Sequence, residues 1–312
     1  MGTIRPSTIL AAILAVTPLL ALGLIFALAP TGTPSHAQER PAAVLYFTHS
    51  AGYRHEVIPA SQTILKEIGT SAERFEVTAS EDVAVFTPEN LRRYGAAIFF
   101  TTGELPMSDA QKLALTDFVR AGGGFLGVHS ATDTFYKWGE YQKLIGGYFN
   151  EHPWHRSVRI EVADRSSPLV GFLGPSFTIS DEIYQIADFD DRGSHVLLRL
   201  DPTSVDLAAE GVHPRPYGWP LAWTRSYGEG RVFYTALGHE EAVWRDPRYQ
   251  HMLRNAVLWA MRRTPERRIR LEPSKRVGRG SPPPDYRLSQ RTPQFLVQAI
   301  PTHVVSLGRR TG

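Results

Sequence analysis

Three histidines in this sequence follow apolar runs closely: His49 after Ala43–Thr48, His129 after Phe125–Val128, and His239 after Arg231–Gly238. An imidazole just past a buried strand meets the surface at the strand's end, where it can pass a proton near neutral pH or bind a metal. Carboxylates accompany them. Asp133 lies four residues beyond His129, Glu240 adjoins His239, and Glu182 sits in Asp181-Glu182-Ile183-Tyr184. Four residues make one helical turn, so Asp133 can orient an imidazole or meet a substrate hydroxyl if a helix starts at Ser130. Its alternative role is to compensate the helix dipole. These spacings make His129, His239, Asp133 and His49 the candidate catalytic groups, and His55, Tyr53, His152, Glu182, Glu240 and Gly103 the candidate substrate contacts. In His152-Pro153-Trp154-His155, His152 reads as a loop group closing over the site or a bystander, and His155 as the start of a strand. Such a set runs acid/base chemistry. A divalent metal on His49, His129 and His239 is the other use of the same imidazoles. No organic cofactor is expected, because Gly122-Gly123-Gly124 precedes a strand where a dinucleotide motif would follow one.

The elements that must position these groups centre on Ala121–Asp133, AGGGFLGVHSATD. Glycines close a helical pattern over Ser108–Arg120, with Ser108 as its N-cap, and the run Phe125–Val128 reads as a buried strand. His129 is then presented beyond that strand and not packed. Upstream, the periodicity predicts a strand at Ala43–Thr48, a helix over Pro59–Ile68, a strand at Phe75–Ala79, a short helix over Pro88–Tyr94 and a strand at Ala96–Thr101. Strands alternating with helices imply a parallel sheet with right-handed crossovers. Downstream, Val158–Val162, Phe177–Ile186 and His195–Leu200 read as strands, Leu221–Ser226 and Arg231–Ala236 as a β-hairpin that extends or flanks the sheet, and Pro247–Arg262 as a closing helix.

Composition bounds the answer further. At 312 residues, 42% hydrophobic and 21% charged, the chain can bury a full core. It has no cysteine, which excludes disulfides, thiolate metal sites and a cysteine nucleophile. Arg5 precedes the apolar stretch Ile9–Ala29, and Ser35-His36-Ala37 offers a small-x-small cleavage pattern, so residues 1–37 read as a signal peptide or an uncleaved N-terminal anchor. Either way the domain, residues 42–262, is expected to be exported, periplasmic or extracellular, with the membrane met only through that segment. From Arg262 onward roughly twelve Lys/Arg face three Asp/Glu, and residues 263–312 read as a basic, Pro/Arg-rich disordered tail. No aromatic-interleaved basic groove accompanies the tail, so no nucleic-acid partner is expected.

Several separated segments carry a family resemblance: His49-Ser50-Ala51-Gly52-Tyr53-Arg54-His55, Gly124–Asp133, Gly146-Gly147-Tyr148-Phe149 with His152-Pro153, Asp181–Tyr184, and Pro220–Trp223 through Gly230–His239. In order and spacing they resemble the ThuA-like (trehalose utilisation) family, from about Val44 to Ala260. The resemblance implies the α/β fold of class I glutamine amidotransferases: a flavodoxin-like three-layer sandwich, its sheet mostly parallel with an added β-hairpin. It also implies a role in sugar catabolism, with trehalose-like or 3-keto sugars as substrates and a separate sugar oxidoreductase as a partner that makes the keto group. One departure is informative. Amidotransferases of that superfamily carry a nucleophilic cysteine where this chain has His129, so glutamine hydrolysis by that route is excluded. Ser130 on the same turn is a place off the G-x-S-x-G pattern. Two functions from different classes remain: an exported sugar or keto-sugar isomerase, lyase or hydrolase using histidine acid/base chemistry, and a non-catalytic carbohydrate-binding or assembly module that kept the fold without the nucleophile.

Overall fold

Strand β1 (Ala43–Phe47) is the run AVLYF, buried from Val44 onward, as a strand covered on both faces requires. The computed structural model describes residues 43–71 and 74–263; the expected leader (1–37), and the expected tail from 264 onward, lie outside the described residues. Helix α1 (Ile58–Thr70) has Pro59 in its first turn, where a missing N–H costs nothing, and lays Ile58, Ile64, Leu65 and Ile68 on the core. After β2 (Glu76–Ser80), α2 (Pro88–Leu91) and β3 (Ala96–Phe99), helix α3 (Asp109–Arg120) starts on a capping box in which Ser108 and Gln111 satisfy each other's backbone N–H groups. Strand β4 (Gly124–Val128) is buried throughout.

The chain after β4 makes a single 3-10 turn, His129–Thr132, in place of the helix anticipated from Ser130. Then come α4 (Gly139–Ile145), β5 (Tyr148–Phe149), β6 (Trp154–Val162), β7 (Ser176–Ile183) and β8 (Ile186–Ala187). The strand read over Phe177–Ile186 is therefore two strands. β5 and β8 pair with each other in a separate two-stranded ribbon. The chain closes with β9 (Ser194–Leu200), β10 (Pro220–Tyr227), β11 (Gly230–Thr235), α5 (Glu241–Arg245) and α6 (Pro247–Ala260).

Among the described residues nine strands form one sheet in the order β2-β1-β3-β4-β11-β10-β9-β6-β7. The first five are parallel, in the flavodoxin-like order with β11 as the fifth, and the remaining pairings are antiparallel. The β10–β11 hairpin does not merely flank the sheet: β11 pairs in parallel with β4 and joins the two halves. Its register sets Thr235 opposite Val128, so Ala236 and His129 leave the sheet side by side. Helix α6 covers the sheet with Met252, Leu253, Ala256, Val257 and Ala260. Among the described residues no helix is long and apolar enough to cross a membrane.

Candidate functional site

His129 sits at the turn out of β4 with φ of +46°, a left-handed conformation that a non-glycine residue holds only when its surroundings over-determine it. What holds it is visible. Its Nδ1 lies 2.7 Å from the Ala236 carbonyl, and Tyr234 Oη donates to its own carbonyl oxygen at 2.7 Å. Because a carbonyl only accepts, Nδ1 carries a proton, and the ring turns Nε2 the other way. The side chain is fully buried, its ring tilted against that of Tyr184 with centroids 4.2 Å apart and flanked by Phe100. This corrects the expectation that His129 is presented and not packed: the turn curls back under the rim instead of projecting from it.

Nε2 of His129 faces two other groups. Glu182 Oε2 lies 3.4 Å away and His239 Nδ1 3.3 Å away, and the third edge, His239 Nδ1 to Glu182 Oε2, is 3.2 Å. His55 completes the cluster, its ring 4.9 Å from that of His129 and 5.1 Å from that of His239. His55, His129, Glu182 and His239 each offer a ligand-type atom, all within 4.8 Å of one another. Burial, then the charges of His129 and His239, push the His55 imidazole down to about 3, so it stays neutral near pH 7. Burial alone would raise Glu182, but hydrogen bonds from His129 and His239 hold its carboxyl well below the usual range. The same Glu182 contact raises His239 above an ordinary histidine.

The antiparallel half delivers the carboxylate. In the β6–β7 register His155 faces Glu182 and Arg156 faces Asp181, which brings the end of β7 to the rim. Asp181 is fully buried and accepts from the backbone N–H groups of Gly238 at 2.7 Å and Glu240 at 3.0 Å, pinning the loop that carries His239. That loop turns at Gly238, whose φ of +125° only glycine adopts readily. Half-exposed groups ring the cluster: His152 reaches Glu182 Oε1 with Nδ1 at 3.3 Å, and His155 pairs with Glu240 at 2.6 Å. Tyr53 sets its ring edge-on to His55 at 4.9 Å, and 63% of it is exposed.

The structure thus brings together His129, His239, Glu182, His55, His152, Tyr53 and Glu240. It does not bring His49, which corrects the expected triad of His49, His129 and His239. His49, first in its loop, turns toward the end of β2, with Nδ1 2.8 Å from the Glu81 carbonyl and its ring stacked on Phe47. His55, at the far end of the same loop, folds back into the cluster. Asp133 orients no imidazole; it accepts from Tyr136 Oη at 2.7 Å, and burial raises its carboxyl pKa. Gly103, expected to meet substrate, is where three loops cross: its N–H donates to the Asp133 carbonyl, its carbonyl accepts from Phe135, and an added Cβ would come within 2.8 Å of the Gly52 nitrogen. Ser130 Oγ is buried without a partner among the described residues, so no base there activates it as a nucleophile.

Asp181 and the Ala236 carbonyl were not singled out from sequence. A signal for the first exists: two acids in succession in a strand cannot both point to solvent, so one of Asp181 and Glu182 must enter the interior and find partners.

A doubly wound α/β domain with a histidine–carboxylate cluster at its strand ends, and histidine at the turn out of β4, is the class that fold and site define. The family model described as trehalose utilisation, ThuA, matches residues 43–260. The chain belongs to the ThuA family. Among solved structures it is similar to a ThuA-like protein of Bacteroides uniformis, at 24% identity and a TM-score of 0.61, over 73% of this chain and 95% of that one. A ThuA-like protein of Parabacteroides merdae shares 19% identity with a TM-score of 0.58, over 72% and 92% of the two chains. At these identities the likeness shows the fold. No curated protein matches the chain.

Proposed function

We propose that this chain is an exported enzyme of sugar catabolism that acts on a trehalose-like or 3-keto sugar by proton transfer at histidine. The observation that carries the reading is the buried Glu182 carboxylate with imidazoles of His129, His152 and His239 on its two oxygens, ringed by half-exposed titratable groups. A cleft that only held a sugar would need amides and aromatic faces more than this density of ionisable groups. The family description supports the substrate class.

The chemistry divides by exposure. His239, whose pKa is raised by its contact with Glu182, faces the rim, where the cluster supplies positive charge to a carbonyl oxygen, while His129 and Asp181 are positioning residues that fix the His239 and Glu182 geometry. His152 and the His155–Glu240 pair, which solvent reaches, take a proton from the carbon next to that carbonyl and return it to the leaving oxygen. A keto group acidifies the neighbouring C–H, so a modest base suffices. The keto group itself comes from a separate oxidoreductase, and export from the leader at residues 1–37.

The test is incubation of the full chain with 3-keto-trehalose and with trehalose, products being followed by mass spectrometry. Turnover of the keto sugar that disappears in His152→Ala supports the reading; calorimetric sugar binding without turnover replaces it with the carbohydrate-binding module. That second reading draws on one observation, the burial of His129 at the position of the absent nucleophile.

A further inference from the structure

The atoms His129 Nε2, His239 Nδ1 and Glu182 Oε2 form a nearly equilateral triangle with edges of 3.3, 3.2 and 3.4 Å. A ring nitrogen carries either a proton or a lone pair, never both, and a carboxylate oxygen carries only lone pairs. No protonation state of imidazoles and carboxylate therefore turns all three edges into hydrogen bonds, and at least one edge sets like against like in a largely buried cluster. Charge-assisted N–H···O bonds also settle at about 2.7–2.9 Å, shorter than any of these edges. One positive ion at the centre satisfies all three corners at once.

The dimensions suit such an ion. Four N and O ligands at about 2.0–2.1 Å in a tetrahedron lie roughly 3.3 Å apart. His55, buried and neutral, supplies the fourth donor within 4.8 Å of the other three. The supporting contacts are also those of a metal centre. His129 donates its other ring N–H to the Ala236 carbonyl, and the second oxygen of Glu182 is held by His152. Three neutral imidazoles and one carboxylate carry a single negative charge, which matches a divalent ion of borderline softness and not Mg²⁺ or Ca²⁺, which want oxygen.

We infer that His55, His129, His239 and Glu182 bind one divalent first-row transition ion of the Zn²⁺ type. The inference deepens the reading of this site as a catalytic centre, but its test reads metal and not turnover. A neighbouring group, His155, His239 and Glu240, shares His239 and is already closed by the 2.6 Å pair between His155 and Glu240; it serves as the control.

The chelator-treated full chain is titrated with Zn²⁺ by calorimetry, and bound metal is counted after gel filtration. The expected result is one Zn²⁺ per chain, with affinity falling by about 100-fold or more in both His55→Ala and Glu182→Gln, and staying within about threefold in His155→Ala. Should the variants not fold, the wild type decides: Co²⁺ must give the intense visible bands of a tetrahedral site, and Zn²⁺ must raise the melting midpoint of the stripped protein. The inference is overturned if the wild type retains no Zn²⁺, or if binding is undiminished in both ligand variants. Zn²⁺ binding without sugar turnover removes the functional reading and keeps the metal; turnover with no metal bound does the reverse.

Discussion

In the parallel half of the sheet the strands beside the site, β1, β3, β4 and β11, are mostly apolar and buried over most of their length, and three of them lead to an imidazole beyond their carboxyl ends: His55, His129 and His239. In the antiparallel half β6 alternates between buried and exposed residues, and its partner β7 carries Asp181 and Glu182 on the strand itself. The difference has one cause. A strand covered on both faces has no room for charge, so its chemistry waits for the loop, whereas a half-covered strand can hold an acid wherever its inner face meets a polar partner. The buried cluster needs both halves, its three imidazoles from one and Glu182 from the other.

Removing the antiparallel half's contribution is the sharpest way to break this division. Glu182→Gln keeps the shape of the side chain but deletes its charge, and is expected to lower keto-sugar turnover by about 10³-fold while melting shows the protein folded. The parallel half is tested at its loops. Gly103→Ala puts a side chain at φ of +75° and against the Gly52 nitrogen, and should cost about 3 kcal/mol in urea unfolding. Asp181→Asn leaves one of two buried backbone donors facing an NH₂ group, a loss of about 2 kcal/mol by the same measurement, with sugar turnover lowered because the His239 loop is released.

The titrations of the metal-free protein separate the halves by pH. The His55 pKa is depressed to about 3, so the unfolded chain takes up this proton below about 6.5 and the folded chain does not. Stability should fall by about 2 kcal/mol between pH 6.5 and 4.5, a drop that His55→Gln removes. Glu182 is also depressed, and its contribution, present above about 4.5, is lost only at lower pH. His239 is raised, so its contribution is present below about 6.5 and fades as pH rises through its folded value. The smallest effect lies away from the site, where Asp164 on the antiparallel half is held down to about 2 by Ser166 and His195. Asp164→Asn should cost less than about 1 kcal/mol near pH 7, vanish as pH falls through about 2, and leave turnover unchanged. A large effect there would blur the contrast.

How far the site was legible follows the same line. Buried runs such as AVLYF and GFLGV announce parallel strands, and the histidines after them stand out because the runs themselves carry no ionised group. The choice between His49 and His55 was not legible, since both lie in one loop and only its folded path decides which end turns inward. Glu182 could be suspected from DEIY, but not its place at the centre, because the β6–β7 register and β11's entry beside β4 are long-range pairings.

By itself the sequence determined the alternation of strands and helices in the first half, a histidine directly after the buried run GFLGV, and the absence of thiol chemistry, because periodicity and residue type are local properties. Tertiary structure alone decided that three imidazoles and a carboxylate from four separate segments share one space 4.8 Å across. It also decided that His129 lies beneath the rim and not upon it. Distances between residues a hundred positions apart are set by the packing of the whole sheet, and no local pattern encodes them.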